Sequence, residues 1–403
     1  VHGALEETLT HAKNDTGHSL ADKLDKVLTN KWLGLPVLMV VLYVVFECTF
    51  TLGAYPQEWI IFGVEALTEW LRGMMPIVWW SSLLLDGVLL GIGAVLAFLP
   101  NIIIMFFFLS LMEDSGYMAR VAFTMDKWMH RIGLHGSSFI PMLMGFGCNV
   151  PAIMAAKDIA NKKDRALTML MVPFMSCSAR LPVYMLFVGA FFAEQKALVM
   201  MSLYVLGVVL SILFAWIMQH TKAFRQTKHD YVSELPPYRR PTLRNTGLHI
   251  WERIADYLQK IPAVIIWASV IIWALTYFPM GNTSDMEHSY LAMIGHWMEP
   301  VVRPLGFDWK MSVCLLTGLP AKEAIVSTMG ILYPADTALS AFTPVTAYAF
   351  MVFVLLYFPC IATITTLQKE IGAKWAWFSV AQSMILAWLL SFVIHQVGLV
   401  IGG

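Results

Sequence analysis

Gly145-Phe-Gly-Cys-Asn-Val-Pro-Ala-Ile153 lies within apolar sequence and yet does not read as a plain membrane helix. Two glycines and a proline fall within seven residues, and between them stand a thiol, Cys148, and a carboxamide, Asn149. Backbone that leaves the helix inside a bilayer must find partners within the protein or face a watery cavity, because lipid offers none. A second break follows far downstream, Thr317-Gly-Leu-Pro-Ala-Lys-Glu-Ala-Ile325, with Lys322 and Glu323 adjacent at its centre. Paired breaks in apolar segments mark the substrate site of many membrane carriers, so these two stretches set the expected fold.

The surrounding composition agrees. Of 403 residues, 58% are apolar and 13% charged, which excludes an ordinary soluble domain and favours a polytopic membrane protein. Lys plus Arg and Asp plus Glu balance at 27 each, so net charge gives no sign of a nucleic-acid partner. Five cysteines (48, 148, 177, 314 and 360) are scattered without paired spacing, which excludes a disulfide framework or a zinc ribbon. No phosphate-cradling G-x-x-x-x-G-K-[ST], no H-E-x-x-H and no G-x-S-x-G occurs, so no enzymatic centre is visible.

Working outward, the sequence predicts an all-α polytopic protein with seven full spans, at 36–54, 83–112, 166–192, 197–218, 262–279, 344–367 and 375–397. Segments 57–75, 117–133 and 284–304 mix charges with bulky apolar residues and suit interfacial helices. Segments 139–156 and 311–333, which contain the two breaks, are expected as re-entrant hairpins. Two further spans are interrupted, one at Ser176-Cys-Ser-Ala-Arg180 with Pro173 and Pro182, the other at Pro359-Cys360. The chain opens on Val1 with a largely polar stretch of 35 residues, which points to a cytosolic linker from an upstream domain.

Lys and Arg decide the orientation. With the N-terminus inside, the inner segments carry 21 of them and the outer segments 4; Arg180 and Lys322 sit in broken segments. The C-terminus then lies outside. Residues 83–218 read span, surface helix, broken hairpin, interrupted span, span, and residues 262–403 repeat that order from the opposite side of the membrane. The expected layout is therefore a linker (1–35), a first span with an interfacial helix (36–82), a first repeat (83–218), a cytosolic loop (219–261) and an inverted second repeat (262–403). Such architecture puts a site at the midplane between the repeats.

Cys148, Cys177 and Cys360 each fall at a break, whereas Cys48 and Cys314 lie in less interrupted stretches and read as packing. Sulfur suits borderline and soft metals, and Asn149 with freed carbonyls can add oxygen. Calcium or magnesium would want more carboxylates. Glu113 and Asp114 end a span at the inner face, where they read as a solvated helix end or an ion exit. Lys322 and Glu323 inside the membrane demand pairing or hydration and suggest a gate, with Arg180 as a further partner for Glu323. A nucleoside-type carrier is the rival reading, but a base and ribose would want converging carboxamides and hydroxyls.

Five ordered runs carry a resemblance: Glu113-Asp-Ser-Gly-Tyr-Met-Ala-Arg120, Gly145 to Ile153, Ser176-Cys-Ser-Ala-Arg-Leu-Pro182, Leu319-Pro-Ala-Lys-Glu323 and Phe358-Pro-Cys-Ile-Ala-Thr363. From about Leu24 to its end the chain resembles the membrane domain of the FeoB-type ferrous iron transporters. That resemblance implies two Gate regions matching the two repeats, a plan similar to that of concentrative nucleoside transporters. It also implies Fe²⁺ as substrate, a bacterial inner membrane, and an upstream cytosolic GTP-binding domain that holds GTP and Mg²⁺. No cofactor is expected in this chain itself, its partners being the lipid bilayer, the ferrous ion and the upstream domain, with homo-oligomerisation left open.

Overall fold

The structure is a computed structural model that describes residues 25, 28, 33–76, 78–221, 224, 243–260, 262–279, 288–333 and 342–402. Most of the expected linker (1–35) and much of the expected cytosolic loop (219–261) lie outside these residues. The described residues are helical throughout, with turns between and no strand. Six helical stretches are long and apolar enough to cross a membrane, and Pro262–Tyr277 is a shorter apolar helix. The chain is an all-α, multi-pass membrane protein.

Helix α1, Gly34–Met74, is one continuous rod of 41 residues. The separate interfacial helix expected at 57–75 is instead its C-terminal half. Pro56 is carried inside the helix, and the charges at Glu58, Glu65, Glu69 and Arg72 do not stop it. At 1.5 Å per residue the rod is roughly 60 Å long, about twice a ~30 Å hydrocarbon core, so its charged end extends beyond the lipid tails. Helix α2, Trp79–Asp114, packs lengthwise against α1. It contains a π-helical stretch at Leu83–Leu89 and carries Pro100 without breaking. Trp273 Nε1 donates to Ser82 Oγ at 3.0 Å, and Ser82 Oγ donates to Asp86 at 2.8 Å, which ties the π-helical end of α2 to a later helix.

The amphipathic helix α3, Tyr117–Arg131, leads into the first hairpin. That hairpin is α4, Phe139–Met144, a turn, and α5, Asn149–Ala156. An interrupted segment follows: α6, Lys162–Met171, then 3₁₀ turns at Val172–Phe174 and Ser178–Arg180, then α7, Leu181–Phe191. Pro173 and Pro182 sit in the first turns of the new pieces, where a missing N–H is tolerated. Helix α8, Lys196–His220, is uninterrupted.

After α9, Leu243–Lys260, the same order recurs. Helix α10, Pro262–Tyr277, precedes the amphipathic α11, Tyr290–Val302. The second hairpin is α12, Trp309–Thr317, and α13, Ala324–Leu332. The second interrupted segment is α14, Pro344–Leu356, and α15, Ile361–Ile371; α16, Ala373–Gly402, ends the described chain. Helix α14 is buried on nearly every side, including Phe350, Val352, Phe353 and Leu355, and forms the spine of the core. The two series also interlock. Hairpin arm α5 packs on α15, and hairpin arm α13 packs on α7.

Candidate functional site

Four breaks meet at one cavity. Its volume is about 140 Å³, and its wall takes Gly147, Cys148 and Asn149 from the first hairpin and Cys177, Ser178 and Arg180 from the first interrupted segment. Pro320, Lys322 and Glu323 come from the second hairpin and Cys360 from the second interrupted segment. Local sequence dictates each break. Gly145 and Gly147 end α4, and Cys148 is extended (φ −150°, ψ 132°) before α5 starts. Tyr357 (ψ −179°) and Cys360 (ψ 151°) leave the helical region on either side of Phe358-Pro359. Gly318 allows a close approach, since a Cβ there would lie 2.7 Å from the Tyr357 hydroxyl.

The backbone groups released by the breaks bond to each other across the elements. The Ser178 amide donates to the Gly147 carbonyl at 3.1 Å, and the Ile361 amide donates to the Leu319 carbonyl at 3.2 Å. In each case the donor follows a cavity cysteine and the acceptor sits in a hairpin turn. Ser178 Oγ adds a second bond to Gly147 at 2.9 Å. These contacts satisfy backbone that lipid could not.

Two buried cations complete the satisfaction of the breaks. Arg180, 1% exposed, donates to the carbonyls of Met175 (2.9 Å) and Pro173 (3.3 Å). The expected Arg180–Glu323 ion pair does not form, because carbonyls freed five and seven residues earlier in the chain engage the guanidinium first. Lys322, 2% exposed, donates to the Phe358 carbonyl at 2.7 Å, and its ammonium stands 3.4 Å from the centre of the Tyr357 ring. Hydrogen bonding and cation–π attraction together offset the loss of hydration.

Of the residues singled out in the sequence, Cys148, Cys177, Cys360, Asn149, Lys322 and Glu323 all line the cavity. Glu113 and Asp114 do not. They close the far end of α2, where the Asp114 carboxylate accepts from Thr246 Oγ1 at 2.9 Å. Cys314 is buried in the core, and Cys48 lies on α1 away from the cavity wall. Thr49 of α1 and Asn101 of α2 also line the cavity and were missed. For Asn101 a signal existed, a carboxamide directly after an intramembrane proline.

The wall offers thiols, carboxamide oxygens and one carboxylate among the described residues, a donor set for a borderline or soft cation. Asn149 Oδ1 is buried without a hydrogen-bond partner among the described residues. No three His, Cys, Asp or Glu side chains among them converge closely enough to hold a metal ion, so the thiols line the cavity without forming a ready-made chelate.

Comparison with known proteins agrees with this geometry. A family described as Gate, nucleoside recognition, matches residues 95–191 and 258–374, and one described as ferrous iron transport protein B C terminus matches residues 200–253. An Fe(2+) transport protein A/Fe(2+) transporter FeoB fusion protein of Porphyromonas gingivalis is 44% identical over 99% of this chain and 54% of its own length. The Fe(2+) transporter FeoB of Staphylococcus aureus is 41% identical over 98% of this chain and 61% of its own length. That of Campylobacter jejuni is 38% identical over 96% of this chain and 67% of its own length. The chain thus spans a little over half the length of several of these relatives. No solved structure matches it. With four breaks around one thiol-lined cavity and these relatives along nearly its whole length, the chain belongs to the FeoB family of iron transporters.

Proposed function

We propose that this chain is the membrane permease domain of a ferrous iron uptake system. In this reading it sits in a bacterial inner membrane with its N-terminus in the cytoplasm and works with an upstream GTP-binding domain of the same protein. The observation that carries the reading is the cavity in which Cys148, Cys177, Cys360 and Asn149, whose oxygen has no partner among the described residues, come together at broken helices. Thiolate and amide oxygen can replace the water of Fe²⁺ stepwise, and the lack of a closed chelate suits a substrate that must leave again. A nucleoside-type carrier is not favoured, because the relatives named above are iron transporters.

The cavity lies between two inverted repeats, 83–218 and 262–403. The matching bonds Ser178 to Gly147 and Ile361 to Leu319 support the repeat, as do the two separate Gate segments. The excess of Lys and Arg in the segments assigned inside supports the orientation. Lys322 and Glu323 gate the path: an ammonium held beside Cys360 repels an incoming dication until it moves, and the neighbouring carboxylate attracts it. Glu113 and Asp114 serve the inner exit from the foot of α2.

Single Cys→Ser replacements test the reading, with Fe²⁺ uptake normalised to protein in the membrane. Replacement of Cys148, Cys177 or Cys360 lowers uptake because oxygen is a harder ligand of similar size, whereas Cys48→Ser and Cys314→Ser do much less. Fe²⁺ also slows labelling of the three cavity thiols by a small water-soluble reagent, since both compete for thiolate. Wild-type uptake by all three cavity variants would overturn the thiol path.

A further inference from the structure

We propose that Thr363 positions Cys360 as a ligand for the transported ion, its hydroxyl holding the sulfur and donating to it once a cation is bound. The proposal rests on the permease reading and deepens it, by giving one cavity thiol a group that acts through it. Cys360 is the residue before α15, with non-helical backbone (ψ 151°), and Thr363 is the third residue within that helix. Side chains at these two positions can reach each other, the spacing that a capping box uses. Here the pair is Thr363 Oγ1 and Cys360 Sγ, 3.0 Å apart.

Other threonines of the same helix use their hydroxyls differently. Thr365 and Thr366 donate to the carbonyls four residues back, Ile361 at 2.9 Å and Ala362 at 2.8 Å. Thr363, 0% exposed, has the sulfur as its hydrogen-bond partner among the described residues, while Cys360 keeps its place on the cavity wall. As long as the thiol carries its proton, either atom can donate. A metal-bound sulfur has no proton left, so the hydroxyl then donates, and a bond to an ionised acceptor is stronger than one between neutral groups. The contact therefore strengthens when the ion arrives, and Thr363 acts as a positioning residue behind the ligand. The other two thiols lack a hydroxyl at this spacing. Three residues after Cys177 stands Arg180, whose guanidinium serves the Met175 and Pro173 carbonyls, and three after Cys148 stands Pro151, which has no donor.

The test is initial-rate Fe²⁺ uptake over a range of concentrations, normalised to protein in the membrane, in cells expressing the protein from its own gene. Thr363→Val keeps the shape, removes the hydroxyl and raises the half-saturating Fe²⁺ concentration about tenfold, with the maximal rate little changed. Thr363→Ser restores the hydroxyl and returns half-saturation toward the wild-type value. In a Cys360→Ala background Thr363→Val adds nothing, because its effect passes through the sulfur. If Cys360→Ala abolishes uptake, rescue by serine decides; if Thr363→Val does not reach the membrane, Thr363→Ala replaces it. A fall in maximal rate with half-saturation unchanged, or a failure of serine to rescue, would assign Thr363 to packing and overturn this proposal alone. An equal effect of Thr363→Val with and without the thiol would do the same. Absence of saturable Fe²⁺ uptake by wild type would overturn the permease reading instead.

Discussion

The two interrupted segments, around Cys177 and around Cys360, use the same backbone bond and different side chains. In both, the amide after the cysteine reaches back to a carbonyl in the neighbouring hairpin turn. In both, the carbonyl two residues before the cysteine, Met175 in one and Phe358 in the other, accepts from a buried cation. The cation differs in origin. Arg180 belongs to the broken segment it satisfies, whereas Lys322 reaches over from the hairpin. A bond within one element holds that element's shape. A bond between two elements holds their relation, and the relation can change without unfolding either. The cation of the first interrupted segment is therefore bound within that segment, whereas that of the second ties it to the hairpin.

The largest effect expected from this contrast is at Arg180. Arg180→Met leaves two buried carbonyls unpaired at about 1–3 kcal/mol each, so thermal unfolding of the purified protein in detergent should fall steeply. Arg180→Lys should recover part of the loss. Next comes Lys322→Met, which frees one carbonyl, a loss of about 1–3 kcal/mol, and removes the contact with the Tyr357 ring. Its melting temperature should drop less than that of Arg180→Met while Fe²⁺ uptake changes more. Equal losses of stability for the two would break the comparison. The smallest effect is expected at Ser178→Ala, which removes a second bond to Gly147 that Ile361 has no means of making to Leu319. The Ser178 amide still satisfies that carbonyl, so the same unfolding measurement should show a loss of about 0.5–1.5 kcal/mol.

The positions of the breaks were legible because glycine and proline inside apolar sequence have few structural uses. The approach of Cys148, Cys177 and Cys360 to one wall was legible from the same signal. The continuity of α1 was not. Glu58, Glu65, Glu69 and Arg72 suggested a separate surface helix, but charge governs where a helix sits in lipid, not whether its backbone continues. Arg180 was assigned to a carboxylate, when the nearer demand came from carbonyls of its own segment. At Asn101 the sequence shows only a carboxamide after an intramembrane proline; its contacts with Gln57 and Gly53 of a different helix are not legible there. The π-helical stretch at Leu83–Leu89 has no period of its own in the sequence.

The contact between Gly53 and Asn101 falls near the middle of α1, since Gly53 is the 20th residue of a helix of 41 that begins at Gly34. A stiff rod that tilted about this contact would act as a lever with its fulcrum beside Asn101. A tilt of about 5° would swing each end by roughly 2.5 Å, given an arm of about 30 Å from the helical rise, while the braced point stays still. Such a tilt would carry a displacement at one end of α1 to the other with opposite sign. Distance measurements from labels at Met39 and Met74 to the buried α14 would register that opposition, and changes of the same sign at both would mean that α1 slides rather than pivots.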